Sequence, residues 1–287
     1  MLKKRFYPIM TFWLLCWSCD PAYDKKGIKL EFLWETDSIL TTAESVIYDS
    51  LNDVIFVSCI NGLPSTAKDN DGFIAMVGLD SGKILDLLYI PEVNAPKGMS
   101  IWGDLMYATD VDEVVMISLD DAIPIFRNTI DHSEFLNDIL LGPTSKLYIS
   151  DTEKDAIFVM NNDSITRIIK LDSAAGPNGL LMRDKKLLWT GFKNGTLNEL
   201  DLETGKSNLM ADSLGMADGI AIYNGKILVS DWNGALYHVK ENGEIISLLE
   251  LEYGINAAGI FVIAEKDLLL IPTFSSNTVR AYRISGT

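Results

Sequence analysis

Pro177-Asn178-Gly179-Leu180-Leu181, followed by Trp189-Thr190-Gly191, then Gly195-Thr196-Leu197-Asn198-Glu199-Leu200-Asp201-Leu202, the turn Glu203-Thr204-Gly205-Lys206 and the run Ser207-Asn208-Leu209-Met210, is one unit of a chain that repeats itself. Apolar positions that alternate within short runs, bounded by Gly, Asn and Asp, read as β-strands joined by tight turns. The same opening recurs at Glu44-Ser45-Val46-Ile47, Lys97-Gly98-Met99-Ser100, Asn137-Asp138-Ile139-Leu140, Asp218-Gly219-Ile220-Ala221 and Ala258-Gly259-Ile260-Phe261, with successive openings 53, 40, 41, 40 and 40 residues apart. A second register follows each opening, at Val57-Ser58-Cys59, Ala108-Thr109-Asp110, Ile149-Ser150-Asp151, Trp189-Thr190-Gly191, Val229-Ser230-Asp231 and Ile271-Pro272-Thr273. Four short strands in roughly forty residues, with no amphipathic helix after the first segment, is the arithmetic of a propeller blade. The expected fold is all-β: a six-bladed β-propeller with four-stranded blades. An N-terminal strand over Ile28 to Trp34 is expected to complete the last blade, closing the ring and hiding its edges. The surplus of the first unit falls in Asn61 to Gly72, rich in Asn, Asp, Gly, Ser and Pro, and reads as a loop insertion.

The chain has 287 residues and a net charge of −16, which excludes nucleic acid as a partner because phosphate neutralisation needs clustered basic side chains. A hydrophobic content of 48% supplies a substantial core and rules out a disordered chain. Lys3, Lys4 and Arg5 precede an apolar run from Phe6 to Trp17, which reads as the n- and h-regions of a signal peptide. The run is too short for a bilayer-spanning helix, which needs about 20 residues. It ends at Ser18-Cys19-Asp20, which resembles the bacterial lipoprotein signal, although Cys16 and Trp17 match its small-residue preference poorly. The expected organisation is a signal peptide over 1–18, a tether over 19–27 and the propeller over 28–287. Lipidation is expected at Cys19, on a chain exported to the cell envelope, touching the membrane through the anchor only, and monomeric. Losing 1–18 removes three basic groups and no acidic one, so the mature charge is −19. Cys59 then stands alone within an apolar run and reads as inert packing, leaving no disulfide framework.

In a propeller the inner strand of each blade begins near the axis and the second strand returns to the same face. The openings are therefore expected to gather Glu44, Lys97, Asn137, Asn178 and Asp218 around one mouth of the central channel, with Asp110, Asp151 and Asp231 close by. Asp and Asn beside Gly commonly form turns and cap backbone groups, so each residue alone reads as structural. Together, the carboxylates of Glu44 and Asp218 with the amide oxygens of Asn137 and Asn178 suit a hard divalent cation. Ca²⁺ accepts irregular sets of roughly six to eight oxygens completed by water. Zinc fits poorly, since His132 and His238 form no ligand pair.

These motifs resemble those of the senescence marker protein/gluconolactonase (regucalcin-like) family of six-bladed propellers. That family has a Glu at the first inner strand, an Asn-Asp pair at the third, Pro-Asn-Gly at the fourth and Asp-Gly at the fifth. Here Glu44, Asn137-Asp138, Pro177-Asn178-Gly179 and Asp218-Gly219 follow in the same order, and the likeness spans roughly Ile28 to Ile284. The resemblance implies a Ca²⁺ ion, or another divalent cation, held by Glu44, Asn178 and Asp218 with Asn137 at the metal or substrate. It also implies hydrolysis of a small lactone or sugar-derived substrate with Asp218 as the catalytic carboxylate. Substrate contacts would fall to Asn137, Asp138 and Asp155, with Glu153 equally available for the role of Asp155. Lys97 either meets an anionic substrate or lays its stem along the channel wall.

One departure stands out. Where several members of the family carry an Arg that contacts the sugar acid, this chain has Phe135, so either the substrate is less polar or the activity is gone. The chain lacks Gly-x-Ser-x-Gly, His-Glu-x-x-His and a Gly-rich phosphate loop. The Asp69-Asn70-Asp71-Gly72 run lacks EF-hand spacing and reads as a solvated loop. Trp102, Trp189 and Trp232 are candidates for a sugar platform or for packing between blades. The rival to an enzyme is a non-catalytic envelope propeller that binds a protein or glycan.

Overall fold

The computed structural model describes residues 27–286 apart from 162, 172 and 173. The signal peptide 1–18, Cys19 and the tether up to residue 26 lie outside the described residues.

The described residues form six four-stranded antiparallel sheets arranged as the blades of a β-propeller. The inner strands are Ala43–Asp49, Pro96–Trp102, Leu136–Leu141, Pro177–Arg183, Ala217–Tyr223 and Phe261–Ile263. The second strands are Val54–Cys59, Leu105–Asp110, Leu147–Asp151, Lys186–Gly191, Lys226–Asp231 and Leu268–Thr273. Closure falls where the sequence places it: Lys29–Glu35 pairs antiparallel with Thr278–Ser285, setting Leu30 opposite Ile284 and Phe32 opposite Tyr282. The first and last described strands thus share a blade, and the ring has no seam that opens by fraying one terminus alone. The insertion of blade 1 lies between Cys59 and the strand Gly72–Gly78, as a loop.

Core is built between blades. Ile55, Val57, Ala75, Leu270 and Ala281 bury one contiguous cluster between the first and last blades, and Cys59 is sealed within it. Trp189 packs into the cluster of blades 3 and 4 while its indole N–H donates to Ser207 Oγ at 3.0 Å. It belongs to the core and not to a sugar platform.

Five of the six inner strands open on a β-bulge, that of the last blade being regular. The ladder slips between Leu136 and Ile139, between Pro177 and Leu180, between Ala217 and Ile220, and between Pro96 and Met99, so the residues quoted from the repeat sit where backbone pairing is interrupted. The orphaned backbone groups are met by the second-register hydroxyls. Thr190 Oγ1 accepts from Gly179 N–H of its own blade at 2.8 Å and donates to the Asp218 carbonyl of the next at 2.5 Å. Thr109 reaches the Asn137 carbonyl, Ser150 the Asn178 carbonyl and Ser230 the Ala258 carbonyl in the same way, each 28 residues along the chain. In the last blade the hydroxyl position is Pro272, and the join is made by backbone instead, with Gly259 N–H donating to the Glu44 carbonyl at 2.9 Å.

Neighbouring inner strands come so close here that a side chain is excluded. A Cβ on Gly179 would lie 2.5 Å from the Asp218 carbonyl oxygen, and one on Gly219 would lie 2.5 Å from the Ile260 nitrogen. Thr190→Val keeps the shape and removes the hydroxyl, leaving the Gly179 N–H and the Asp218 carbonyl buried without a partner. It is expected to lower unfolding free energy by about 1–3 kcal/mol in a urea titration, whereas Thr190→Ser is expected to keep most of it.

Candidate functional site

The bulges aim Glu44, Asn137, Asn178 and Asp218 at one end of the central channel, and all four line a cavity of about 420 Å³ together with Asp138. The geometry of the repeat therefore brings the predicted carboxylates and amides together from four blades. Asp138 occupies the bulge position that Gly fills in blades 2, 4, 5 and 6. Its carboxylate spans two blades, accepting from Ile139 N–H at 2.8 Å and from Leu180 N–H at 2.7 Å.

Asp218 is the least satisfied of these groups. Asn178 Nδ2 donates to its Oδ2 at 3.3 Å, while Oδ1 is buried without a hydrogen-bond partner. Burial pushes the Asp218 carboxyl well above the usual range, and Glu44 and Asp138 add to the shift. Burial likewise raises Glu44 to about 8, with Lys97 opposing and Asp138 reinforcing. Asp138 rises to about 6, also by burial, held down in part by its two backbone donors. Burial is the first cause of all three shifts, so Glu44 and Asp218 hold their protons more strongly than exposed carboxyls do.

Other predicted residues lie outside the cavity. Asp110, Asp151 and Asp231 lie close by, opposite Pro96, Leu136 and Ala217 in the ladders, but do not line the cavity. Asp110 accepts from the backbone N–H groups of Asn94 and Ala95, Asp151 from those of Glu134, Phe135, Glu153 and Lys154, and Asp231 from those of Met216 and Asn233. These aspartates fold the loops between blades, the capping role open to any Asp at a turn. Asp155 also serves a loop, accepting from Gly176 N–H at 2.8 Å, and does not line the cavity; Glu153 is exposed and paired with Lys193. Lys97 is 1% exposed, and its ammonium donates to the carbonyls of Ser65 and Ala95 and lies 4.6 Å from the centre of the Phe135 ring. Burial lowers it to about 8 against the pull of Glu44 and Asp110. Phe135 is thus the cover of a buried cation that belongs to the fold.

The largest correction concerns access. The sequence places the acidic cluster at one mouth of the channel; in the structure its side chains are nearly buried, Asp218 at 3% and Glu44 at 6% exposure. The residue after each second register is Ile60, Val111, Thr152, Phe192, Trp232 or Phe274. Ile60, Val111 and Phe274 pack with Ala95 and Ala258, and Trp232 joins them. Trp232 stacks at 4.8 Å on Phe274 and meets Phe192 edge-on at 6.1 Å. This apolar cluster runs between neighbouring blades on one face of the ring, and none of Ile60, Val111, Phe192, Trp232 and Phe274 lines the cavity. The cavity runs the other way along the inner strands, to Tyr48, Ile101, Leu140, Leu181, Ile222 and Val262. The signal for the cluster was present in the repeat, as an apolar residue directly after the second register in five of six units, but only the ring shows that these residues meet.

The donor chemistry fits a hard cation: two carboxylates, two amide side chains and a buried carboxylate oxygen without a partner. Among the described residues no three His, Cys, Asp or Glu side chains are arranged to hold a metal. A cation here would rely on Glu44 and Asp218 with amide oxygens and water.

No family model matches the chain, and no curated protein matches it. Solved structures do. A streptogramin B lyase is similar with a TM-score of 0.67 at 12% identity, over 90% of this chain and 98% of the other. A catalytically inactive virginiamycin B lyase from Staphylococcus aureus, with quinupristin, is similar with a TM-score of 0.64 at 14% identity, over 90% of this chain and 99% of the other. The WD40 β-propeller domain of Doa1 gives a TM-score of 0.64 at 14% identity over 90% of this chain and 94% of that one. At these identities the likeness carries the fold alone: this chain is a β-propeller.

A raised carboxyl pKa favours the folded state most below the unfolded value and progressively less as pH rises through the folded value. In chelator, the protein is therefore expected to lose thermal stability between pH 4.5 and about 8 through Glu44. Glu44→Gln is expected to flatten that slope in a pH series of melting curves.

Proposed function

We propose that the acidic end of the channel binds one divalent cation, Ca²⁺ by its donor set, and that the protein opens a small lactone by hydrolysis. The observation that carries this reading is the buried, unpartnered Oδ1 of Asp218 beside Glu44, Asn137 and Asn178. A bound divalent cation supplies Lewis-acid stabilisation of the oxyanion that forms when water attacks a lactone carbonyl. Glu44 and Asp218 hold that charge in place, and Asn178, donating to Asp218 Oδ2, orients the carboxylate so that Oδ1 faces the cavity. With the cation holding it ionised, Asp218 would accept the proton of the attacking water through Oδ1. Asp138, fixed by two backbone donors, adds negative charge without moving.

The charged n-region, the apolar run and Ser18-Cys19 support placing this activity on an exported lipoprotein of the cell envelope. Two of the similar structures are named as lyases, which accords with an enzymatic use of this fold without specifying the reaction here. The near-complete burial of the acidic side chains favours a second reading, in which the propeller binds a protein or glycan on its loop face without catalysis.

Calorimetry of the mature chain is expected to show one Ca²⁺ site. A lactone panel is expected to show turnover that chelator abolishes. Asp218→Asn is expected to lower kcat by roughly 10²–10⁴-fold with the fold intact. No divalent binding at millimolar metal would end the metal-assisted reading and leave the non-catalytic one.

A further inference from the structure

We infer that substrate reaches the acidic site through the opposite, aliphatic end of the channel, and that the site therefore selects lactones bearing a slender alkyl chain over sugar lactones. This rests on the lactone reading above but adds an entry route and a substrate class. At the acidic end the side chains are nearly buried, Asp218 at 3% and Glu44 at 6% exposure, and Lys97 is held by two carbonyls against Phe135; no residue of the loop face lines the cavity. The cavity instead leads from Asp218 to a half-exposed rim of Ile101, Leu140, Leu181, Ile222 and Val262. The rim residues stand three or four places along the inner strands from the site residues, which at the rise of a β-strand is roughly 10–13 Å.

The cavity is thus a bore with a polar floor and a mainly aliphatic wall, interrupted by Ser45, Ser100 and Tyr48. Its volume of about 420 Å³ falls at the small end of the range for ligand sites. A sugar lactone carries hydroxyls on every side and would leave them without partners along this wall, whereas an alkyl chain buries there. A lactone ring at Asp218 with its tail toward Leu181 satisfies both ends of the bore. The side chains that set the preference are therefore the rim aliphatics, which have no counterpart among the motifs carried by the bulges.

The test uses the mature chain with Ca²⁺ and a series of γ-lactones whose alkyl tail grows from methyl to octyl, with gluconolactone as the polar comparison. Binding is followed by calorimetry and ring opening by acid release. Apparent affinity is expected to rise about fourfold per methylene until the bore is filled, with gluconolactone weaker than the short-tailed members. Leu181→Trp is expected to narrow the bore, cutting octyl-lactone affinity at least tenfold while Ca²⁺ affinity and the melting curve hold. Leu140→Trp, on another blade, serves the same purpose if the first variant fails to fold. Affinity independent of tail length, or unaltered by both tryptophans, overturns the proposal even if Ca²⁺ binds and lactones open. Tail-dependent binding without turnover upholds the bore and removes the hydrolase.

Discussion

The hydrogen bond from a second-strand hydroxyl to the next blade's bulge is the interaction on which the rest of the molecule depends. Thr109, Ser150, Thr190 and Ser230 each bond a carbonyl at the start of the neighbouring inner strand. A bulge leaves backbone groups unpaired, and unpaired groups this deeply buried are costly unless something meets them. The hydroxyl meets them from the blade behind, so one contact ends the local ladder, joins two blades and sets the direction in which the bulged residue projects. Asn137, Asn178 and Asp218 aim into the channel because their own carbonyls are held in this way. The site is a by-product of how the ring is stapled.

The same stapling explains the electrostatics. Inner strands close enough to exclude a Cβ at Gly179 and Gly219 bring the side chains of four blades to one end of a narrow channel. Burial is the first cause of the raised pKa of Glu44, Asp138 and Asp218 there. Lys97 would be the natural counter-ion, yet its ammonium is committed to the carbonyls of Ser65 and Ala95 and to the face of Phe135. The fold thus leaves Asp218 with an oxygen that protein alone does not satisfy. The insertion of blade 1 takes part in this arrangement, because it supplies the Ser65 carbonyl that draws Lys97 away from the cavity. The Phe135 substitution, which from the sequence pointed to a lost substrate contact, acts instead on this buried cation.

The propeller was legible because its signals are local and repeated: alternating strands, turn residues and a period of about forty recur often enough that no single unit carries the argument. The convergence of Glu44, Asn137, Asn178 and Asp218 was legible too, since a ring with this period places equivalent positions around one axis. The second register lies close by but outside the cavity. Asp110, Asp151 and Asp231 share the period with the site residues, but an aspartate at the end of a strand meets free backbone N–H groups within a few residues, and those donors claimed all three. Asp155 met the same fate at Gly176. Local capping outcompetes a distant site whenever the donors are already in place.

By itself the sequence determined the number of blades, the closure by Lys29–Glu35 and which positions face the axis, since each follows from period, alternation and turn chemistry. Only the tertiary structure decided which way the channel opens. Ile60, Val111, Trp232 and Phe274 are scattered over more than two hundred positions, and nothing local shows that they pack together on one face while Ile101, Leu140, Leu181, Ile222 and Val262 line the cavity. Both arrangements follow from the closed ring, which sets equivalent positions of different blades side by side.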